Sequence, residues 1–347
     1  MKPDRNEMIQ EYGVEKYQSL LADYIKDNSG DFNSKVDYLK LTLKTGDYES
    51  FKKQYNCLRK RGACSAITRE FAKYLLFIEK DYKQAKMLLG DLVKRNVNEP
   101  SWVYYFSGKR KNYFEKLYDN LLYTAIPKNA STSLKTFMLK NVLKKNGVNP
   151  HGVFGNPFFR NNEFSPTEIR NSKKLLILRK PESRFLSYHS KNIVVADSLA
   201  FEYGISSKKV SHLFGLKLQP NLEELLENFN KYCLIFNDVF HHTLPQAAYV
   251  GDLSCYDYIC DVSEVDELVS FVAEYLGFEE GISGKAPREM AGLHCKEEPG
   301  GDLIERIIKM YSDDYFILSL VSNKNNISDK LLSYCPDPTF HSFINGG

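Results

Sequence analysis

The sequence lacks the features that mark membrane proteins and nucleic-acid-binding proteins. None of its apolar runs reaches the length needed to span a bilayer, and its start, M-K-P-D-R-N-E-M, has no signal-peptide core. The net charge of +3 is too small to indicate a nucleic-acid partner. We therefore expect a cytoplasmic protein with no integral membrane segment and no nucleic-acid partner.

Metal-binding patterns are also missing. The seven cysteines are odd in number and contain no C-x-x-C spacing, which excludes a disulfide framework and the usual kind of zinc site. His241 and His242 are adjacent, but no third ligand follows at a useful spacing. We expect no metal in the chemistry of this protein. What the chain does have is 43% hydrophobic residues, enough to bury a sizeable core.

Residues 1–115 are typical of an all-helical domain. Prolines are few, and apolar residues recur at spacings of three and four. Two Asp-Tyr turns, at Asp47-Tyr48 and Asp81-Tyr82, stand 34 residues apart, which is the period of tetratricopeptide (TPR) helix pairs. This TPR-like region is either a docking surface for a protein partner or a helical cap for the rest of the chain.

From Leu121 onward, apolar strands alternate with helices. This alternation predicts an α/β fold in which a parallel sheet is flanked by helices. A chain of this length suits two domains. We place the second domain at residues 118–325, and residues 326–347 are typical of a polar tail.

One strand–turn–helix junction predicts an anion site. Pro127 ends the apolar run Leu121–Ile126, and the polar turn K-N-A-S follows, leading into a helix. The free amides at a helix N-terminus and the small hydroxyl residues of this turn suit an anion. Lys128 adds a full positive charge at the start of the turn. We predict that a phosphate or sulfate group is bound by Lys128, Asn129, Ala130, Ser131, Thr132 and Ser133.

A second junction of this type follows the apolar run Leu175–Leu178. The next residues, R-K-P-E-S-R-F-L-S-Y, run from Arg179 to Tyr188. Arg179 offers a planar fork to a phosphate at the strand end. Ser187 lies eight residues later, about two turns into the helix, so its hydroxyl is predicted to reach the same phosphate.

Together the two motifs resemble those of sulfotransferases that use 3′-phosphoadenosine 5′-phosphosulfate (PAPS). The P-K-N-A-S-T-S turn is most similar to the 5′-phosphosulfate loop of carbohydrate sulfotransferases, and Arg179 with Ser187 resembles the family's 3′-phosphate signature. Lys180 stands where the family usually has Asp. Two further segments resemble the family, the H-x-x-P-Q segment that ends at Gln246 and a Y-x-x-D-Y pattern that begins at Tyr311.

The resemblance covers about residues 120–320 and implies a P-loop-like sulfotransferase fold. It also implies direct transfer of the sulfuryl group from PAPS to a hydroxyl or amine of an acceptor, with 3′-phosphoadenosine 5′-phosphate (PAP) as the product. Lys128 would offset the charge on the leaving oxygen. His151, in a His-Gly pair between the two motifs, resembles the family's base, and Glu163 and Glu168 are competing candidates.

The similarity of the P-K-N-A-S-T-S turn to carbohydrate sulfotransferases favours a carbohydrate or polysaccharide acceptor. Two other functions stay open at this point: a nucleotide-dependent phosphotransferase, and a TPR-type adaptor fused to an inactive nucleotide-binding domain. The phosphotransferase is disfavoured because the loop lacks the glycines of G-x-x-x-x-G-K-[ST].

Overall fold

The computed structural model describes residues 2–60, 64–96, 98–154, 164–278, 300–322 and 343. In chain order its helices are α1 (Arg5–Tyr12), α2 (Val14–Asp27), α3 (Phe32–Thr45), α4 (Tyr48–Lys60), α5 (Ser65–Tyr74), α6 (Tyr82–Arg95), α7 (Ser101–Phe106), α8 (Ser131–Phe137), α9 (Pro150–Phe154), α10 (Pro166–Asn171), α11 (Pro181–Tyr188), α12 (Ser198–Glu202), α13 (Leu222–Glu227), α14 (Phe229–Ile235), α15 (Asn237–Thr243), α16 (Val265–Tyr275), α17 (Gly301–Met310) and α18 (Ser312–Ser322). The strands are β1 (Glu115–Tyr118), β2 (Leu121–Thr124), β3 (Lys173–Leu178), β4 (His212–Leu213), β5 (Leu216–Lys217) and β6 (Tyr258–Asp261).

Some helices continue as π-helical turns, over Leu75–Glu79, Met138–Val142 and His189–Val195. Among the described residues, no helix is both long enough and apolar enough to cross a membrane. Apart from residue 343, the predicted tail at 326–347 lies outside the described residues.

The chain divides into two compact units. We call residues 1–92 together with 189–240 the helical unit, and residues 93–188 together with 241–345 the sheet unit. The limits predicted from the sequence, 1–115, 118–325 and 326–347, stay a prediction, because compactness alone does not define an independently folding domain.

The helical unit contains the predicted turns between helices. α3 ends at Gly46, which takes the left-handed conformation at φ 79° that glycine adopts most easily. The π turn after α5 ends at Lys80, also left-handed, and α6 begins two residues later. The prediction of an all-helical N-terminal region is therefore confirmed, whereas its likeness to TPR repeats stays a prediction.

Residues from the middle of the chain complete the helical unit. Phe240 packs edge-on against Phe77, with ring centroids 5.6 Å apart. Tyr203 accepts a hydrogen bond from the Lys44 ammonium and donates one to the Ile235 carbonyl oxygen. The Phe77–Phe240 and Lys44–Tyr203 contacts join segments more than 150 residues apart in the chain.

The sheet unit is built on four strands in the order β1-β2-β3-β6. β2, β3 and β6 are parallel, and Leu121–Thr124 lies in register with Lys173–Leu176. Residues on both faces of β2 and β3 are buried, as expected of parallel strands covered by helices. The predicted α/β class is confirmed.

The sequence did not predict β1, which adds an antiparallel edge to this sheet. It is only four residues long, and its side chains alternate between buried and exposed. Alternation over so few positions is a weak signal, and β1 directly follows a helical region.

Because β2 and β3 are adjacent and parallel, their carboxyl ends meet at one edge of the sheet. In open α/β sheets this edge is where ligands bind. The two predicted phosphate motifs begin immediately beyond it, at Lys128 and Arg179.

Candidate active site

The turn after β2 places its backbone in an unusual conformation. Lys128 and Ala130 both take positive φ, at 67° and 54°, which non-glycine residues adopt rarely. Ala130 is left-handed and Ser131 starts the right-handed helix α8. Alternation of this kind turns successive N–H groups toward one concavity and makes an anion-binding nest. Strained residues of this type tend to mark functional sites.

The N-terminus of α8 has no side-chain cap. Ala130 occupies the N-cap position and has no oxygen to accept from the first-turn amides. Ser131 is buried, while Thr132 and Ser133 are half-buried, so all three hydroxyls stand at the same helix start. This arrangement leaves a positive helix end that favours an anion.

Asn129 is a structural link within this turn. Its side chain is fully buried, and its Nδ2 donates to the Ile177 carbonyl oxygen on β3 at 2.9 Å and to Gln246 Oε1 at 2.6 Å. The side-chain amide therefore ties the first motif to the strand that carries the second. The amino group of the Asn129 side chain is thus engaged within the protein, and its backbone N–H donates to the Ile126 carbonyl oxygen at 3.3 Å.

Arg179 connects the two motifs directly. Its Nη1 donates to the Lys128 carbonyl oxygen at 3.0 Å. Its backbone N–H donates to Gln246 Oε1 at 3.1 Å, and its carbonyl oxygen accepts from Gln246 Nε2 at 2.8 Å. The Gln246 amide thus pairs with the Arg179 backbone and with the Asn129 side chain, so it clamps both turns together.

The Arg179 guanidinium has a hydrogen-bond donor that no described residue uses. Its Nε is buried and has no hydrogen-bond partner among the described residues. Burial lowers its pKa, and the nearby positive charge of Arg184 lowers it further, with Asp261 opposing. A charge held in this way is costly without an anion beside it. The site therefore favours a phosphate or sulfate next to Arg179.

Arg184 holds the segment that carries Gln246. It is almost fully buried, and it donates to the carbonyl oxygens of His242 at 3.0 Å and Leu244 at 2.8 Å. Asp314, also buried, lies 3.9 Å from its Nη2 and accepts from the Ala247 N–H at 2.9 Å. The H-x-x-P-Q and Y-x-x-D-Y segments thus meet beneath the two motifs and set the position of Gln246.

The remaining predicted site residues lie on α9 and α11 or outside the described residues. Ser187 lies in the last turn of α11 and is half-buried. His151 is in α9, which contacts α8, but its side chain lies outside the described residues. Glu163 also lies outside them. Among the described residues, no cluster of His, Cys, Asp and Glu forms a metal site.

Glu168 is a poor candidate for the base. It is exposed and forms a capping box at the start of α10, where it accepts from the Ser165 N–H and hydroxyl, each at 2.8 Å. These hydrogen bonds lower its pKa, which weakens it as a proton acceptor.

Gln246 is the residue whose role the sequence did not reveal. The H-x-x-P-Q segment was recognisable, but nothing local shows that its last side chain bridges residues 67 and 117 positions away. The H-x-x-P-Q segment itself was the available signal, whereas the burial that obliges the Gln246 amide to find partners is visible only in the structure.

Replacement of Gln246 by leucine is expected to destabilise the protein by about 3 kcal/mol, since buried polar groups of Asn129 and Arg179 would lose their partner. Because the two turns would no longer be held together, the affinity of the site for an anion such as sulfate should also fall about tenfold or more. Urea denaturation and calorimetry measure the two effects. Gln84→Leu, on the exposed face of α6, is the matched control. Wild-type stability and affinity in Gln246→Leu would contradict the clamp.

A buried ion pair lies on the helix that carries the first motif. Glu115 on β1 and Lys135 on α8 are almost fully buried, with Oε2 and Nζ 2.5 Å apart. Burial raises the pKa of Glu115 to about 7, although Lys135 opposes the shift. The folded protein therefore holds this proton more tightly than the unfolded chain.

The sign of the resulting pH dependence follows from this shift. The stabilisation by the Glu115 proton is complete below the unfolded pKa, near 4.5, and is lost as the pH rises through about 7. Relative to Glu115→Gln/Lys135→Met, the wild-type protein should lose about 3 kcal/mol of unfolding free energy across that interval. Chemical denaturation at several pH values measures this difference, and parallel curves for the two proteins would contradict it.

The comparisons with known proteins agree with this geometry. The model of a family described as "Sulfotransferase family" matches residues 111–319, more than half of the chain, and this span contains both motifs and the Gln246 clamp. No curated protein and no solved structure matches the chain.

Proposed function

The chain belongs to the sulfotransferase family, and on this basis we propose that it transfers the sulfuryl group of PAPS to a hydroxyl or amine of an acceptor. The acceptor that we propose is a carbohydrate. The observation that carries the proposal is the hydrogen-bonded junction of two anion sites. Arg179 donates to the Lys128 carbonyl oxygen, and Gln246 holds both turns. Two anion sites so close together fit the two phosphate groups of one nucleotide.

Each predicted ligand has a defined task in this proposal. The amides from Ala130 to Ser133, with the Thr132 and Ser133 hydroxyls, hold the 5′-phosphosulfate, and Asn129 positions this turn through its buried side-chain amide. Arg179 and Ser187 hold the 3′-phosphate. This assignment uses the unpaired Arg179 Nε and the uncapped N-terminus of α8.

Lys128 and His151 carry the chemistry. As the acceptor oxygen bonds to sulfur, the bond from sulfur to the bridging oxygen of the donor breaks, and negative charge grows on that oxygen. The Lys128 ammonium offsets this charge, and fixed donors aimed at developing charge are usually the largest catalytic contribution. His151 takes the proton of the attacking hydroxyl. No metal takes part in this scheme.

A transfer assay tests the proposal. The full chain is incubated with ³⁵S-labelled PAPS and a panel of oligosaccharides, next to a parallel reaction with γ-labelled ATP. We expect label in the acceptor from PAPS only, and about a hundredfold less label with Lys128→Ala. Transfer from ATP instead would support a phosphotransferase. Binding of PAP without transfer to any acceptor would favour an adaptor with an inactive domain.

The acceptor class rests on the likeness of the P-K-N-A-S-T-S turn to carbohydrate sulfotransferases. Mass spectrometry of glycans from cells with and without the protein tests it, and a sulfated glycan that depends on the protein is the expected result.

The predicted cytoplasmic location belongs to the same proposal, and cell fractionation checks it. We also propose a protein partner for the helical region, residues 1–115. A pull-down with the full chain should retain this partner, and a pull-down that retains none would contradict the proposal.

A further inference from the structure

The helical unit contains a cavity that the sulfuryl-transfer reaction does not use. Its volume is about 450 Å³, which lies in the range of small-molecule sites. Four of the residues that line it are cationic, and three are aromatic. The cationic residues are Lys2, Arg5, Lys40 and Lys44, and the aromatic residues are Tyr17, Tyr203 and Phe214.

The carboxylates of this cavity are already engaged. Asp37 pairs with Lys2 at 2.7 Å. Asp4 caps α1 by accepting from the Glu7 N–H at 2.9 Å. Among the described residues, no ion pair is formed by Arg5, Lys40 or Lys44. The lining therefore has an excess of positive charge.

Two of these cations converge on one aromatic ring. Lys44 Nζ lies 4.9 Å from the Tyr203 ring centroid, and Arg5 Cζ lies 5.5 Å from the same centroid. Lys44 also donates a hydrogen bond to the Tyr203 hydroxyl. An ammonium has three donors, so this contact leaves donor capacity for a ligand.

The charges around Lys44 also favour an anion in this cavity. Burial lowers its pKa, and the positive charge of Arg5 lowers it further. The carboxylates of Glu202 and Glu70 oppose the shift, and each has a larger effect on this pKa than Arg5. Both are occupied elsewhere, since Glu202 accepts from the backbone N–H groups of residues 237 and 238, and Glu70 lies 3.7 Å from Lys73. An anion between Arg5 and Lys44 would relieve their repulsion.

We propose that this cavity binds a small organic anion, a phosphate or sulfate ester. Arg5, Lys40 and Lys44 hold its ester oxygens, and its ring lies against Tyr203 and Phe214. The volume and the aromatic lining favour an ester with a ring over an inorganic ion. The inference does not depend on the function proposed for the sheet unit.

Calorimetry on the full chain tests the proposal. Glucose 6-phosphate, glucose 6-sulfate, glucose and inorganic phosphate are titrated separately, with PAP present in excess so that sites for nucleotides are filled. We expect at least one ester to bind, at least tenfold more tightly than glucose or inorganic phosphate. The two ester arms show whether phosphate or sulfate is preferred. Affinity should fall as salt is added, because the contacts are ionic.

Variants locate the binding. Lys44→Met and Arg5→Gln should each weaken the ester at least tenfold, while Lys53→Met, on the exposed face of α4, should leave it unchanged. Because desolvation disfavours the charged form of Lys44, its replacement by methionine should not lower the melting temperature. Arg5→Gln supplies the test if Lys44→Met fails to fold. Equal binding of ester and glucose, no binding of either ester, or unchanged affinity in both variants overturns the proposal.

Discussion

Replacement of Lys128 by alanine is expected to lower kcat by about a hundredfold or more, with less than a tenfold loss of donor affinity. The ammonium acts on charge that develops only in the transition state, so ground-state binding depends on it less. Because alanine also tolerates the left-handed backbone poorly, the substitution does not relieve the strain at φ 67°. Initial rates and calorimetry with PAP separate the two effects.

Two variants control for this result. Lys128→Arg keeps the positive charge and should retain more activity than Lys128→Ala. Lys180→Ala removes an exposed lysine next to Arg179 and should leave kcat within about threefold of wild type. A Lys128→Ala variant that loses only affinity, with kcat preserved, would show that Lys128 is a binding residue and not a catalytic one.

Replacement of Arg179 by alanine is expected to weaken PAP binding by about a hundredfold. The side chain is the cation with a buried, unpaired Nε at the end of β3, and truncation of a buried charged donor leaves the anion without its partner. Arg179→Lys should restore part of the affinity, because a lysine supplies charge but not the planar fork.

A nucleotide without the 3′-phosphate distinguishes recognition from misfolding. Arg179→Ala should weaken PAP strongly and adenosine 5′-phosphate little, since only PAP has the group assigned to Arg179. The variant also loses the hydrogen bond to the Lys128 carbonyl oxygen, so a small equal loss for both nucleotides is expected. An equal large loss for both would contradict the assignment of Arg179 to the 3′-phosphate.

The phosphate motifs were predictable because each is local. An apolar strand, a proline or charged turn and a helix start lie within about 15 residues in each case, and strand exits of a parallel sheet converge by geometry. The sequence therefore predicted the sheet class and the two turns at its edge, whereas the assignment of their residues to an anion stays a prediction. It also predicted the helical character of the N-terminal region, where the apolar period is regular.

What the sequence could not show depends on contacts between distant segments. Gln246 bridges Asn129 and Arg179 from more than 60 positions away. The residues around Gln246 in the sequence do not indicate this pairing. Lys44 meets Tyr203 across 159 residues, so the cationic cavity was equally hidden. In both cases the contact depends on the packing of distant segments, because each residue by itself is an ordinary glutamine or lysine.

The most direct test of the central claim is a calorimetric comparison of PAP with ADP on the wild-type protein. If the turn after β2 and Arg179 bind two ends of one nucleotide, PAP should bind at least tenfold more tightly than ADP. Tighter binding of ADP would contradict the account, because ADP has no 3′-phosphate for Arg179.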